Sequence, residues 1–128
     1  MKMRKVYFWS WFPALLTMTI IFWFSSQPAV ELPDFAWADR LVKKSGHVLG
    51  YALLAVSYWL ALGLDEKSYR LAWLLTILYA MTDEYHQSFV LGRHASAWDV
   101  VIFDNFGALV SLWWARQYLK QKRPSDSI

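Results

Sequence analysis

The chain has 128 residues, of which 57% are hydrophobic and only 18% charged, with 9 tryptophans and a net charge of +3. A soluble domain of this length rarely combines such values with a mean hydropathy of +0.22, so the composition indicates a membrane protein. The chain contains no cysteine, which excludes disulfides, thiol catalysis and cysteine-ligated metals.

Four stretches are long enough to cross a bilayer core, which takes about 20 residues. The first two contain long uncharged runs, and the first exceeds the about 7–15 apolar residues of a signal peptide. The third and fourth span a membrane only if their acidic residues are tolerated there. We predict one domain, an all-α integral membrane bundle of about four transmembrane helices. The expected helices cover residues 6–27, 45–64, 70–91 and 97–118, and a polar cytoplasmic tail covers 119–128.

The positions of the basic residues predict the orientation of this bundle. With four spans, 9 of the 13 Lys and Arg residues fall on the side that holds both termini. The positive-inside rule places that side in the cytoplasm. The basic residues then determine the orientation of the bundle in the membrane, and they predict no nucleic-acid partner.

Residues 83–87, Asp-Glu-Tyr-His-Gln, place two acids and a histidine inside the third stretch. Ionisable side chains at mid-helix cost about 2.5–3.5 kcal/mol each on insertion scales, so they mark an interior functional site. At about 100° per residue, Asp83, Glu84, His86 and Gln87 share an arc of about 160°, and Tyr85 points away. We predict a polar face toward the bundle and an apolar face toward lipid.

The four-span topology brings other polar residues to the same depth. Lys44 and His47 lie at the outer start of the second helix, Arg93 lies in the outer loop, and Asp99 and Asp104 begin the fourth helix. We therefore expect a polar site in the outer half of the bundle. Small residues four apart predict close helix packing. They form two pairs, Gly46 with Gly50 and Gly107 with Ser111.

Several sequence blocks resemble the signature of the VanZ-like family. They are Phe24-Ser25-Ser26-Gln27-Pro28, Lys44-Ser45-Gly46-His47 with Tyr51, Asp83 to Phe89, Gly92-Arg93, Asp99, and Asp104-Asn105-Phe106-Gly107. The resemblance implies a small multi-helix protein of the bacterial cytoplasmic membrane. The family takes its name from a protein associated with resistance to the glycopeptide antibiotic teicoplanin. One departure is that Asp99 and Asp104 are one residue further apart than in the common form, which would set them about 140° apart on an α-helix.

The first functional hypothesis is a site for a lipid-linked envelope precursor or a lipoglycopeptide target, within a membrane whose lipids surround the chain. Arg offers bidentate donors and Lys a point charge for a phosphate group. In this hypothesis Lys44, Arg93 and His47 contact phosphate. The ligand-binding candidates are Lys44, His47, Asp83, Glu84, His86, Gln87, Arg93, Asp99 and Asp104.

A second hypothesis is a membrane lipid-phosphate hydrolase or transferase with Glu84, His86 or His47 as general acid or base. Ser45-Gly46-His47 is similar to one element of lipid phosphate phosphatases, but the chain has no matching set of further motifs. Enzymatic activity therefore stays undecided. His47, Glu84, His86 and Asp99 have the residue types of a zinc site, yet no local zinc pattern such as HExxH is present, and we predict neither a metal nor another cofactor.

The third hypothesis is non-enzymatic. Lys44 and Arg93 neutralise the acidic residues, and the resulting internal ion-pair network fixes the register of the helices. The protein then acts as a structural or partner-binding membrane module. The sequence leaves the oligomeric state open.

Overall fold

The computed structural model describes residues 8–28, 39–92 and 97–122, and of residues 39–42 and 99 it describes the backbone alone. All regular secondary structure in these ranges is helical, with no strand. The all-α prediction is therefore confirmed. Four helices, α1 to α4, follow one another along the chain.

Helix α1 covers Phe12–Ser26 and follows a short 3-10 turn, Phe8–Trp11. Pro13 lies in its first turn, where the N–H that proline lacks would have no partner within the helix. The helix ends because Gln27 is extended, with φ −75° and ψ 130°. Gln27 precedes Pro28, and the residue before a proline is biased away from the helical conformation.

Helix α2 covers Asp39–Ala61 and so begins six residues before the predicted start at 45. The prediction rested on the uncharged run, whereas the helix continues through the charged residues before it. At the other end Gly63 adopts φ 93°, and the N–H of Leu64 donates to the carbonyl of Trp59 at 3.0 Å. This six-residue ring closed by a left-handed glycine is a Schellman motif, which ends the helix.

Helix α3 covers Tyr69–Gln87, after a 3-10 turn, Glu66–Ser68. Helix α4 has three consecutive parts: an α-helical turn, Ala97–Asp99, a π-helical segment, Val100–Asp104, and a long α-helical part, Asn105–Lys122. A π segment accommodates one extra residue within an α-helix and often lies at a functional site.

Helix α2 packs against each of the other three helices. Its approach to α4 is close at Gly107, where an added Cβ would lie 2.6 Å from the carbonyl oxygen of Val48. A Cβ at Gly50 would make ordinary van der Waals contact with Ile21, and no described atom would lie within 4 Å of a Cβ at Gly46. The prediction of close packing is thus confirmed at Gly107, whereas none of the described residues packs closely on Gly46.

Helix α3 has one polar or small face and one large apolar face. Its buried residues are Ala72, Thr76, Ala80, Asp83, Glu84 and Gln87. Its exposed large hydrophobic residues are Leu71, Leu74, Leu78, Met81 and Tyr85, with Phe89 just beyond its end. The predicted division of α3 into a buried polar face and an exposed apolar face is confirmed. Helices α1 and α4 likewise expose large apolar side chains and bury smaller ones such as Ala14, Thr17 and Ala108.

One of the described helices is long and apolar enough to cross a membrane by length and composition. It is Phe8–Ser26, with a mean hydropathy of 1.3 over its most apolar window. The predicted second span covered the uncharged residues 45–64, but α2 ends at Ala61 and so contains less of this run. Acidic residues lower the hydropathy of α3.

Candidate polar site at one end of the bundle

Asp83 joins three helices through hydrogen bonds. Its Oδ2 accepts one from the hydroxyl of Ser25 on α1 at 2.9 Å and one from the phenol of Tyr51 on α2 at 2.8 Å. Gln87 Nε2 donates in turn to Ser25 Oγ at 3.0 Å. We call Ser25, Tyr51, Asp83 and Gln87 the polar network. All four side chains are buried.

The second carboxylate oxygen of Asp83 differs from the first. Asp83 is only 4% exposed, and its Oδ1 has no hydrogen-bond partner among the described residues. A buried acceptor without a donor costs about 1–3 kcal/mol or more for a charged group. Among the described residues, therefore, two hydroxyl groups fix one oxygen of Asp83, and none donates to the other.

His47 and Asp104 form a second pair beside the polar network. His47 Nδ1 lies 3.7 Å from Asp104 Oδ1, which is an ion pair when the imidazole is protonated. Asp104 is 1% exposed. The His47 ring is stacked nearly parallel to that of Tyr51, with centroids 6.0 Å apart. This contact connects the pair to the polar network.

The π segment of α4 positions Asp104. In a π turn the backbone bonds join residues five apart, so such residues take the relative position that residues four apart have in an α-helix. The segment Val100–Asp104 therefore brings backbone positions 99 and 104 toward one face of α4. The longer spacing of these two acids, which on a regular α-helix would separate them, is compensated by the local backbone.

His86 contacts α1. Its Nε2 lies 3.0 Å from Ser26 Oγ, and its ring stacks on that of Phe22 with centroids 4.6 Å apart. The Ser26 hydroxyl donates to the carbonyl of Phe22 at 2.7 Å. Since its hydrogen is used there, Ser26 accepts from His86, and Nε2 carries the proton.

Glu84 and Lys44 lie beside these residues on other faces. Glu84 is buried, is turned about 100° from Asp83 around α3, and lines a groove between α3 and α4. Lys44 lies one turn before His47, with Nζ 4.2 Å from the ring centroid of Phe103. Lys44 thus places a positive charge next to the π segment.

The structure brings together four of the predicted site residues, His47, Asp83, Gln87 and Asp104. Lys44, Glu84 and His86 adjoin them in the separate surroundings given above. Arg93 lies outside the described residues, as does the side chain of Asp99.

The described part of the chain holds no group of three or more His, Asp or Glu side chains arranged to bind a metal ion. The zinc hypothesis for His47, Glu84 and His86 therefore gains no support from their placement.

The sequence indicated Tyr51 and Ser25 only weakly as site residues. Tyr51 lies one helical turn after His47, which was the available signal. Ser25 ends an apolar run close to Pro28, where a serine most simply satisfies helix-end backbone groups. Its hydrogen bond to Asp83 crosses 58 positions of sequence, and helical periodicity cannot predict such a contact.

The fold and the site define a class of protein: a small helical bundle with large apolar side chains on its exterior and a carboxylate-centred polar network inside. A family model described as VanZ/LLP1 matches residues 9–119. The chain therefore belongs to the VanZ/LLP1 family, which confirms the resemblance seen in its sequence blocks. No curated protein and no solved structure matches the chain.

Proposed function

We propose that the chain is a four-span protein of the bacterial cytoplasmic membrane with both termini in the cytoplasm. In this proposal its polar site lies in the outer half of the bilayer and binds a lipid-linked, phosphate-bearing envelope precursor. Family membership and the distribution of Lys and Arg support the membrane topology.

The exterior of the bundle also supports a membrane location. Large side chains such as Leu16, Trp23, Leu78, Val110 and Trp113 are exposed. Soluble monomers rarely expose contiguous apolar patches larger than a few hundred Å². Membrane helices pack through small and polar residues instead, because lipid removes the hydrophobic drive that buries large ones in water. The buried alanines, threonines and glycine of α1, α3 and α4 follow that pattern.

The observation that carries the ligand proposal is the arrangement at Asp83. Ser25 and Tyr51 fix one carboxylate oxygen, and the buried second oxygen has no donor among the described residues. A ligand hydroxyl or amine would supply that donor. Inside a membrane such a satisfied contact is favourable because the alternative is an unpaired acceptor in a low-dielectric medium.

The remaining charges limit the chemistry of the ligand. The carboxylates of Asp83, Glu84 and Asp104 repel phosphate, so a phosphate group must be bound by cations at the edge of the site. Lys44 lies one turn from His47, and Arg93 has the planar donors that phosphate prefers. A ligand suits this site if it has hydroxyl or amine donors for Asp83, a phosphate for the cations and a hydrocarbon carrier for the membrane. Lipid-linked envelope precursors have this composition, and binding one would link the protein to envelope homeostasis or to protection against teicoplanin-type glycopeptides.

The binding test compares polyprenyl phosphate with polyprenyl alcohol on the purified protein. We expect the phosphate to bind more tightly, and Lys44→Gln to weaken it by about tenfold or more, since a charge-assisted hydrogen bond contributes about 1.5–3 kcal/mol. Lys67→Gln is the matched control because Lys67 is exposed at the opposite end of the bundle. Equal binding of phosphate and alcohol, or equal loss in both variants, would contradict the proposal.

The cellular test uses Asp83→Asn, which keeps the size of the side chain and removes its charge. We expect normal accumulation in the membrane together with lost protection against a teicoplanin-type drug. Glu84→Gln and His86→Gln extend the test to the neighbouring positions. If cells that lack the protein are as sensitive to the drug as cells that contain it, the resistance part of the proposal is contradicted. The lipid experiment then tests the binding part alone.

A second candidate function is a structural or partner-binding membrane module, and one observation favours it. The bonds around Asp83 connect α1, α2 and α3 directly, as a network that fixes helix register would. In this case Asp83→Asn and Ser25→Ala would both lower membrane accumulation, and neither would alter lipid binding per folded molecule. Accumulation and binding measured on the same variants therefore separate the two functions.

A further inference from the structure

A long groove lies between α3 and the beginning of α4. Its volume is about 510 Å³. Along α3 its wall includes Trp73, Ile77 and Met81, and on α4 it includes Val100 and Val101. The lining between its two ends is apolar, so its middle offers no hydrogen bonds to an occupant.

The dimensions of the groove limit what can fill it. Its wall extends on α3 from Trp73 to Ser88, a rise of about 22 Å at 1.5 Å per residue. A helix of this length, with a diameter of about 10–12 Å including side chains, would occupy about 1,700–2,500 Å³, so it does not fit in this volume. A single hydrocarbon chain is much thinner, because its carbon atoms need only contact distances of about 3.5–4.0 Å to the walls, and it fits.

The two ends of the groove differ in polarity. At one end Trp73 Nε1 donates to Asn105 Oδ1 at 2.8 Å, so these polar groups satisfy each other. At the other end the wall includes Glu84 and Ser88, and Glu84 follows Asp83 directly in sequence. The polar end of the groove therefore adjoins the polar network.

The sides of the groove continue into the apolar exterior. Met81, Tyr85 and Val101 line it and are themselves more than half exposed. A hydrocarbon chain can therefore enter sideways from a surrounding bilayer, without passing through water.

We propose that this groove binds a single hydrocarbon chain of the lipid ligand, with the hydroxyl or amine groups of that lipid, and not its phosphate, directed to Glu84 and Ser88. The inference rests on the proposed function in that it assigns the carrier chain of the same ligand. It specifies a site on α3 and α4 that is distinct from the phosphate contact at Lys44.

The test uses polyprenyl phosphate and polyprenyl alcohol that carry a photoreactive diazirine on the chain, with the labelled residues mapped by mass spectrometry. In the full-length protein in bilayer discs, we expect labelling by both probes to concentrate on groove residues, several times above the exposed face of α1. Val101→Trp fills the groove and should reduce that labelling severalfold. Ile102→Trp is the matched control, since Ile102 is similarly exposed and does not line the groove.

The outcomes separate this inference from the proposed function. Even labelling of all apolar faces in the wild-type protein overturns the groove, whatever the variants do. Unchanged groove labelling in folded Val101→Trp also overturns it. If both probes label the groove equally and Lys44→Gln has no effect, the hydrocarbon site in the groove is supported and the phosphate contact at Lys44 is contradicted. If Lys44→Gln weakens binding while labelling is even, the phosphate contact is supported and the hydrocarbon site is contradicted.

Discussion

The two ends of the helical bundle differ in how their charged side chains are buried and paired. At the site end, Asp83 and Asp104 are almost fully buried, and Asp83 is held by neutral hydroxyl groups. At the other end, Glu66 forms a direct ion pair with Arg116, and both side chains are substantially exposed. One end buries carboxylates among hydrogen-bond donors, whereas the other pairs opposite charges in contact with the surroundings.

This difference supports the proposal that a ligand binds at the site end. An exposed ion pair contributes about 0–1 kcal/mol and costs little desolvation. A buried carboxylate costs several kcal/mol to desolvate, and well-packed apolar residues often stabilise a core at least as well. Stability alone therefore accounts for the pair of Glu66 and Arg116. It does not account for Asp83, whose second oxygen lacks a partner among the described residues.

The largest effect is expected at Gly107, which sets the spacing between α2 and α4 at the site end. The Cβ of Gly107→Ala would lie 2.6 Å from the carbonyl oxygen of Val48, so the two backbones must separate. We expect a loss of about 2–3 kcal/mol in the free energy of unfolding, as for other overpacked interiors. Thermal unfolding in detergent measures it. Because Val48 and Asp104 flank this contact, the His47–Asp104 pair should also separate.

Gly46→Ala is the control for Gly107→Ala. Both positions are helical glycines, but a Cβ at Gly46 meets no described atom within 4 Å. Alanine is favoured over glycine inside a helix by about 1 kcal/mol, so this variant should be at least as stable as the parent. Similar losses in the two variants would show that helix spacing at Gly107 is not the determining feature.

A smaller effect is expected for Tyr51→Phe, which removes one of the two donors to Asp83 Oδ2. Hydrogen bonds between membrane helices contribute on average about 0.6 kcal/mol and at most about 2 kcal/mol. We expect a loss of about 1 kcal/mol in the free energy of unfolding, measured in the same detergent. Tyr58→Phe is the matched control: Tyr58 is a buried phenol on the same helix, and the described hydrogen bonds include none from its hydroxyl.

Ser25→Ala sharpens the same comparison because Ser25 and Tyr51 donate to one oxygen. The double variant with Tyr51→Phe should differ from the sum of the single variants, since the two residues share a partner. Strict additivity, together with equal losses for Tyr51→Phe and Tyr58→Phe, would mean that Asp83 is not organised by these hydroxyl groups.

The sequence predicted the helices and the polar face of α3 from simple physical rules. Spacing at 100° per residue predicted that Asp83, Glu84, His86 and Gln87 share the inner face and that Tyr85 points away. Asp83, Glu84 and Gln87 are buried, His86 is half-buried and Tyr85 is exposed. The antiparallel order of the helices likewise predicted that His47, Asp83 and Asp104 lie at one end. These features depend on local periodicity and chain length, which a single sequence contains.

The details of the site depended on contacts that periodicity does not contain. The hydrogen bond from Ser25 to Asp83 requires the relative rotation of α1 and α3, which packing determines. The π segment before Asn105 also gave no local signal beyond the unusual spacing of Asp99 and Asp104. A regular helix was the natural assumption, and it would have placed these two acids on different faces.

The smallest effect is expected at the opposite end of the bundle, for Glu66→Gln. This variant removes one charge of the exposed pair with Arg116 and leaves the arginine over the ring of Tyr69, 5.3 Å from the guanidinium carbon. Exposed ion pairs contribute about 0.2–1 kcal/mol in double-mutant cycles, so the cycle of Glu66→Gln with Arg116→Gln should give a coupling in that range. Arg116→Gln alone should cost more than Glu66→Gln because it also removes the contact with Tyr69. The coupling should decrease in high salt, which screens exposed charges. A loss for Glu66→Gln larger than that for Tyr51→Phe would reverse the comparison, since charge at the exposed end would then matter more to stability than the hydrogen bonds around Asp83.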